Sequence, residues 1–200
     1  MEGVEAGERP VISIEGELVA LGPIRRDLLP LYQRWINDPA VVRTLALPPG
    51  PLTMEAEIAW YERAASGDSA YFTIYERATW RPIGNLDLRE IDHRNRSAGF
   101  GILIGEADCR GKGYGTEATR LMLDYAFTAL GLHNVQLGVD EANLAARRAY
   151  EKAGFKEIGR RRQAIREAGR RWDEILMDCL ATEFESPVLG RVFVPDEPRG

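Results

Sequence analysis

The sequence predicts a single α/β domain of the α+β type, with a mixed, mostly antiparallel sheet flanked by helices. Two observations lead to this fold class. The order of segments is one strand, two helices, three strands, a helix, a strand, a helix and two strands, which favours a sheet covered by helices. The chain has 200 residues, 44% hydrophobic and 28% charged, which is typical of one globular domain.

The first quarter of the chain is predicted to hold one strand and two helices. Residues 1–16 form a polar lead-in, and Leu18–Leu21 is the first strand. Apolar side chains recur at helical spacing in Arg26–Ile36, and Met54–Ala65 has a similar pattern. Three prolines and a glycine make Leu45–Pro51 a loop between the two helices.

The middle of the chain is predicted to form an antiparallel meander followed by a helix and a strand. Ala70–Glu76, Pro82–Ile91 and Ser97–Ile104 are rich in β-forming residues, and only short polar turns separate them. After a glycine-rich turn, Thr116–Leu130 has apolar residues along one helical face. Asn134–Val139 then has the length and composition of a short strand.

The last quarter is predicted to contain a capped helix, a hairpin and a tail. The helix Asn143–Ala153 begins at a favourable N-cap residue and ends before a glycine. Phe155–Gln163 and Arg171–Leu180 are the two final strands. We therefore expect one domain over residues 1–182 and a C-terminal tail over residues 183–200.

Composition excludes several classes of protein and disfavours others. No segment contains the roughly 20 consecutive apolar residues that a membrane span needs, and the acidic N-terminus lacks the apolar core of a secretory signal. The two cysteines, Cys109 and Cys179, are far apart and fit a reducing compartment, so we expect a cytoplasmic protein. A net charge of −5 disfavours nucleic acid as the main partner.

A glycine-rich loop lies between a predicted strand and a predicted helix. Gly111, Gly113 and Gly115 alternate with other residues, so the backbone can curl and direct several N–H groups into one concavity. Arg110 and Lys112 add positive charge, and the following helix adds its N-terminal dipole. The loop therefore predicts a diphosphate site. Its spacing fits neither a nucleotide P-loop nor a dinucleotide-binding fingerprint, and the alternative is a flexible turn.

A second motif lies on the helix that begins at Asn143. Asn143 and Tyr150 are seven residues apart, which places them two turns apart on one face. Ala146 and Ala149 near that face are small enough for a ligand to lie close to the helix. The alternative interpretation is that Asn143 is only an N-cap and Tyr150 only a core residue.

These two motifs resemble those of the GNAT superfamily of acetyltransferases. Arg110, Gly113 and Gly115 match its Arg/Gln-x-x-Gly-x-Gly/Ala pattern. The run from Asn143 to Phe155 matches its Asn-x-x-Ala-x-x-x-Tyr-Glu-Lys-x-Gly-Phe pattern. Further stretches are similar to the branch that contains the ribosomal-protein N-terminal and spermidine N-acetyltransferases.

The resemblance implies a fold, a cofactor and a set of roles. Two central parallel strands, Ser97–Ile104 and Asn134–Val139, would splay apart and admit the pantetheine arm of acetyl-CoA. Asn143 would contact the pantetheine, and Tyr150 would protonate the departing CoA thiolate. The remaining expected cofactor-binding residues belong to the splayed strand and the glycine loop: Leu103, Ile104, Arg110, Gly111, Lys112, Gly113, Tyr114, Gly115 and Thr116.

The general base is the part of the site that the resemblance leaves open. Relatives in this branch often carry a glutamate at the position that Gly99 occupies here. His93 has a suitable intrinsic pKa and is our first candidate, although it could equally be a simple turn residue. Asp87, Glu90 and Asp92 are the alternatives, together with a chain of water molecules.

The resemblance predicts an N-acetyltransferase that moves acetyl from acetyl-CoA to a primary amine on a protein N-terminus or a small molecule such as a polyamine. Trp35, Trp60, Tyr61 and Trp172 are candidate walls of the acceptor pocket. The alternatives are a non-catalytic acyl-CoA sensor and a nucleic-acid or ribosome adaptor that uses the arginine-rich final hairpin. A homodimer is expected by similarity to look-alikes.

Overall fold

The computed structural model describes residues 9–43, 45, 50–67 and 69–194. These residues form one eight-stranded mixed sheet with helices on both faces, and its strand order is β1-β2-β3-β4-β5-β6-β8-β7. Parts of three predicted segments lie outside the described residues, namely the start of the lead-in, the centre of the proline-rich loop and the end of the tail. The sheet confirms the predicted fold class.

The bounds of most elements agree closely with the sequence prediction. The strands are β1 Ile14–Glu15, β2 Val19–Pro23, β3 Ala70–Glu76, β4 Pro82–Asp92, β5 Ser97–Ile104, β6 Asn134–Asp140, β7 Lys156–Glu167 and β8 Arg170–Leu180. The helices are α1 Leu29–Ile36, α2 Pro39–Val42, α3 Met54–Ser66, α4 Tyr114–Asp124 and α5 Leu144–Ala153.

The meander β3–β4–β5 is antiparallel throughout, as predicted. Its residues alternate between two different environments. Leu86, Leu88 and Phe100 face the main core and are almost fully buried. Asn85 and Asp87 lie on the opposite face of the same strand, because successive side chains of a strand point to opposite sides. This second face carries the polar groups of the site described below.

Helix α4 covers the main core face of the sheet. Its buried residues include Leu121 and Met122, which pack in one cluster with Ile74, Ile83 and Leu88 of the strands. A buried leucine contributes about 1.5–3 kcal/mol by leaving water, so this layer supplies a large part of the stabilisation. The helix begins at the glycine-rich loop, and the packing therefore fixes where that loop lies.

The opposite face is covered by α1 and α3. Tyr32 and Trp35 of α1 are buried in a second apolar cluster, against which Trp60 of α3 and Leu103 of β5 pack. The indole Nε1 of Trp35 donates to Glu106 at 2.8 Å, just beyond the end of β5. Strand β5 therefore packs against the helices on one face and pairs with β4 along one edge.

The carboxylate of Glu117 ties the start of α4 to the first hairpin. It accepts backbone N–H groups from Glu17 at 2.9 Å and from Leu18 and Val19 at 2.7 Å each. These bonds hold the turn between β1 and β2. The sequence prediction placed all of residues 1–16 in an irregular lead-in, and β1 corrects it. A two-residue strand has no periodicity that the sequence could reveal.

The end of α4 also differs from the prediction. The predicted helix continued regularly to Leu130, but Tyr125–Ala129 form a π-helical turn. The buried carboxylate of Asp124 lies at this junction. It accepts the hydroxyl of Ser186 at 2.6 Å and the backbone N–H groups of Val188 and Leu189 at 2.9 and 2.8 Å.

Residues 184–189 of the predicted tail therefore pack back on the domain. Leu189 is buried, and Phe184 stacks edge-on against Phe127 at a centroid distance of 5.3 Å. The expected boundary at residue 182 does not coincide with a break in packing. The sequence left open whether Val188–Val194 folds back on the domain or adds a strand to a neighbour. In the structure Leu189 is buried against the domain, whereas Val192, Phe193 and Val194 are exposed.

Candidate active site

Strands β5 and β6 are parallel neighbours that separate after three residue pairs. Ser97, Ala98 and Gly99 pair with residues 134–136, and beyond them the two strands have no common register. β5 nevertheless continues to Ile104 and β6 to Asp140. The splayed pair expected from the sequence is thus present, and each strand has an unpaired backbone edge that faces the gap.

A cleft of about 960 Å³ extends through this gap. On one side it is lined by Leu103 and Ile104 of β5, Gly138 and Val139 of β6, and α5. On the other side it reaches the space between the sheet and the helices α1 and α3. One continuous cavity can therefore hold two ligands end to end.

The glycine loop forms one end of the cleft. Gly111 and Gly113 have φ angles of 74° and 86°, a conformation that side-chain-bearing residues adopt only at a cost. A Cβ atom added at Gly111 would have no neighbour within 4 Å, so nothing in the described residues fills the space above it. Helix α4 follows directly, and no side chain caps its first turn. Its free N–H groups and positive dipole suit an anion.

The predicted cofactor-binding residues divide into two groups by position. Those that line the cleft are Leu103, Ile104, Arg110, Gly111, Gly113, Gly115, Thr116 and Asn143. Lys112 and Tyr114 do not line it, and the hydroxyl of Tyr114 instead donates to Glu76 at 2.8 Å. The guanidinium of Arg110 bonds the carbonyls of Ile104 and Ala40, at 3.3 and 3.4 Å.

Helix α5 carries the second predicted motif. The Oδ1 of Asn143 accepts the N–H of Ala146 at 3.1 Å, so this side chain is an N-cap as well as a lining residue. Tyr150 lines the cleft too, and its ring packs edge-on against Phe100 and Phe155. Burial raises the pKa of its hydroxyl to about 12, and the charge of Arg89 opposes that rise.

The structure does not bring His93 to the cleft. It lies in the exposed turn between β4 and β5, at the end of β5 where that strand is still paired with β6. Glu90 and Asp92 are close to the same turn and do not line the cleft either. This placement corrects the expectation that His93 is the general base, because a base must reach the acceptor amine.

Asp87 is the one of the four base candidates that does line the cleft. Burial raises the pKa of its carboxyl, and the nearby charge of Arg89 lowers it again in part. Within the described residues, its Oδ2 atom has no hydrogen-bond partner. A buried carboxylate oxygen without a partner lowers the stability of the fold, since its lone pairs have lost their water. Such a group calls for an explanation, and a role in function is one.

The part of the cleft between the sheet and the helices α1 and α3 is aromatic and contains a second buried acid. The ring of Trp60 packs edge-on against Tyr32 and Tyr71, at centroid distances of 6.0 and 5.5 Å. Glu57 of α3 is 7% exposed, and burial raises the pKa of its carboxyl. Sequence reasoning missed Glu57 because it looks like an ordinary surface residue in the first turn of a helix.

Of the four aromatic residues predicted as walls of the acceptor pocket, only one lines the cleft. Trp60 lines the cleft, whereas Trp35 is buried in the cluster between α1 and α3. Tyr61 and Trp172 do not line the cavity. The spacing of aromatic residues along a helix indicates which residues share a face, but it does not distinguish the core from a cavity.

Comparison with known proteins agrees with this geometry. The family model for the acetyltransferase (GNAT) domain matches residues 19–156, which include the meander, the glycine loop and α5. The chain belongs to the GNAT acetyltransferase family. It is therefore an acetyl-CoA-dependent N-acetyltransferase that transfers acetyl to an amine.

Several GNAT relatives align over most of the chain. Alpha/beta-tubulin-N-acetyltransferase 9 of Homo sapiens is 30% identical over 159 residues, which are 72% of this chain and 74% of that protein. The spermidine N(1)-acetyltransferase of Escherichia coli (strain K12) is 30% identical over 141 residues, 70% of this chain and 74% of that protein. Spermidine N-acetyltransferase from Vibrio cholerae, solved with CoA and spermine, has a TM-score of 0.77 at 26% identity and covers 84% of this chain and 98% of that chain.

The cleft of this GNAT chain suits acetyl-CoA. The open space above Gly111 and the uncapped start of α4 match a diphosphate in charge and shape. The unpaired edges of β5 and β6 offer backbone donors and acceptors to an extended arm that carries amide groups.

None of the helices in the described residues has the length and hydrophobicity of a membrane span.

Proposed function

We propose that this acetyltransferase binds its acceptor amine in the half of the cleft between α3 and β4, with Asp87 as general base and Tyr150 as general acid. The observation that supports the assignment is the single cleft, which runs from the glycine loop past Tyr150 to Asp87. Acetyl-CoA supplies the thioester whose carbonyl carbon the amine attacks. The residues of the chain hold the two reactants together and move the protons.

Deprotonation of the acceptor requires a base because a lysine-like amine has a pKa of ~10.4 and is protonated at neutral pH. Asp87 suits this role because it lines this half of the cleft and its buried Oδ2 has no hydrogen-bond partner in the described residues. Burial raises the pKa of Asp87 above that of an ordinary aspartate, which makes it a stronger base when it is ionised.

Protonation of the departing thiolate is the role proposed for Tyr150. Its hydroxyl keeps its proton throughout the neutral range, since its pKa is raised to about 12 by burial. Arg110, Gly111, Gly113, Gly115 and Thr116 would hold the diphosphate of the cofactor. Leu103, Ile104 and Asn143 would align its pantetheine arm. Lys112 and Tyr114, which do not line the cleft, would contribute through their backbone N–H groups.

The acceptor class follows from charges in the same half of the cleft. Glu57 and Asp87 attract an ammonium group, but Arg43, Arg63 and Arg89 also line the cavity. This mixture fits a single primary amine, on a protein N-terminus or a small molecule, better than a chain of several cationic nitrogens. A polyamine, the acceptor named for two of the relatives, is therefore our second candidate.

The test combines binding and turnover on the purified protein. We expect acetyl-CoA to raise the melting temperature, and thiol release to appear with one amine class from a panel of unblocked peptides, small monoamines and spermidine. Asp87→Asn should lower kcat by about 10²-fold or more. Asp92→Asn, the same change in the turn outside the cleft, should leave kcat within about twofold.

Two outcomes would reject parts of the proposal. Full activity of Asp87→Asn would remove this residue as the base. Binding of acetyl-CoA without turnover of any amine in the panel would reject the proposed acceptor class. The homodimer and the cytoplasmic location expected from the sequence stay predictions.

A further inference from the structure

Arg89 lies across two glycines of the neighbouring strand. Its register partner on β5 is Gly99, and a Cβ atom added there would be 3.4 Å from Cγ of Arg89. A Cβ atom added at Gly101 would be 3.1 Å from its Nη1. The side chain therefore runs along the surface of β5 where these two positions have no side chains of their own.

The same notch holds the carboxylate of Asp87. Gly101 is the register partner of Asp87, and a Cβ atom there would be only 2.7 Å from Oδ1. Arg89 Nη1 is 3.6 Å from Asp87 Oδ2, which is too long for a good hydrogen bond but close for two opposite charges. The two glycines thus permit a carboxylate and a guanidinium to lie side by side over β5.

The surroundings of Asp87 contain few other charges. Tyr71 of β3 is its register partner on the other side, and Glu57 and Arg63 of α3 and Tyr150 of α5 line the same cleft. Of these groups and Arg89, it is Arg89 whose charge acts on the pKa of Asp87. Without a nearby cation the pKa of this buried carboxyl group would be higher still, and a protonated acid cannot accept another proton from the acceptor.

We propose that Arg89 is a positioning residue for acetyl transfer, which keeps Asp87 ionised and directed into the cleft through the notch formed by Gly99 and Gly101. This proposal rests on the proposed function, in which Asp87 is the base. Arg89 touches neither the reacting proton nor the thioester in this role. Its side chain is about half exposed, so Arg89 acts on Asp87 through its charge, which solvent partly screens.

The direct test is the titration of Asp87 itself. In protein labelled with ¹³C at the aspartate carboxyl carbons, the Asp87 signal is identified by its loss in Asp87→Asn. We expect Arg89→Met to move the titration of this signal to higher pH, because the opposing positive charge is gone. Arg89→Lys should restore most of the difference, and Arg94→Met, in the exposed turn, should change nothing. An unchanged titration in folded Arg89→Met would overturn the proposal.

Kinetics give the second readout, with acetyl-CoA and whichever panel amine is turned over. At pH 6 we expect Arg89→Met to lower kcat/KM about tenfold, and at pH 9 to lower it less, because loss of the positive charge shifts the ionisation of Asp87 to higher pH. The KM for acetyl-CoA should not change. A loss that is equal at both pH values would mean that Arg89 acts on something other than the ionisation of Asp87, and would overturn the proposal.

The two experiments separate this proposal from the proposed function. If Asp87→Asn keeps full activity, Asp87 is not the base, yet the carboxyl titration still reports whether Arg89 controls its charge. If Asp87→Asn is inactive and Arg89→Met titrates as the wild type does, the base assignment stands and the positioning role fails.

Discussion

Tyr150 is the residue whose environment most clearly suits one chemical role. Its ring is packed between Phe100 and Phe155, so the hydroxyl has a fixed position at the cleft. We expect Tyr150→Phe to lower kcat by about 10²-fold or more, since the change removes one proton donor and little volume. The affinity for acetyl-CoA, measured by calorimetry, should stay within about threefold.

Tyr114→Phe is the matched control for that change. The hydroxyl of Tyr114 points away from the cleft to Glu76, so its loss should not alter kcat. Equal activity of wild-type protein and Tyr150→Phe would remove Tyr150 from the acid role.

In the folded protein the pKa of Tyr150 is about 12, above the ordinary value of 10.0. Any contribution of this hydroxyl to the free energy of unfolding is therefore fully present below pH 10 and is lost as pH rises through 12. The expected kinetic effect is therefore independent of pH in the neutral range.

More of the residues predicted for the cofactor than of those predicted for the acceptor line the cleft. Gly113, Asn143 and Tyr150 belong to local motifs, in which spacing alone determines the geometry. The choice between Asp87 and His93 depends on which end of β5 is paired with β6 and which face of β4 lies in the cleft. Those are properties of the sheet as a whole, and a pattern within one strand does not contain them.

At the scale of elements, Asp124 connects the end of α4 to the returning chain. Its buried carboxylate accepts four hydrogen bonds, one of them from Thr128 at 2.8 Å and the others from residues 186–189. We expect Asp124→Ala to lower the free energy of unfolding by about 3 kcal/mol or more, because several donors lose their partner. Calorimetry should show a melting temperature lower by about 6–12 °C.

Asp108→Ala is the control, because Asp108 is exposed and forms an ion pair with Arg81 at the surface. Its melting temperature should be within about 2 °C of the wild type. If Asp124→Ala were as stable as this control, the tail would not be an integral part of the domain. The sequence could not predict this connection, since an aspartate at the end of a helix is ordinarily exposed.

The elements that the sequence prediction missed have no pattern of their own in the local sequence. β1 and α2 are too short to show a period, since they contain two and four residues. The π-helical turn directly follows Asp124, whose carboxylate binds residues distant in sequence. Most of the longer elements were predicted to within one or two residues because they have one apolar face, which is a local property. β7 is largely exposed and extends to Glu167, four residues beyond its predicted end.

For the molecule as a whole, the glycine loop determines whether the cofactor stabilises the fold. At a concentration 100-fold above its Kd, acetyl-CoA should stabilise the wild type by about 2.7 kcal/mol, which raises the melting temperature by about 5–10 °C. Gly113→Glu should abolish this rise, because a carboxylate at a φ of 86° would occupy the anion site. Gly169→Glu, at a φ of 75° in the final hairpin, imposes comparable backbone strain and should keep the rise.

The separation of β5 from β6 affects more than the cofactor. Within an otherwise continuous sheet it leaves two bare strand edges, which protein sheets normally protect because such edges recruit other strands. Saturation with acetyl-CoA would cover both edges. The free protein should therefore be the aggregation-prone form during concentration and storage, and the cosubstrate should act as a formulation agent for it.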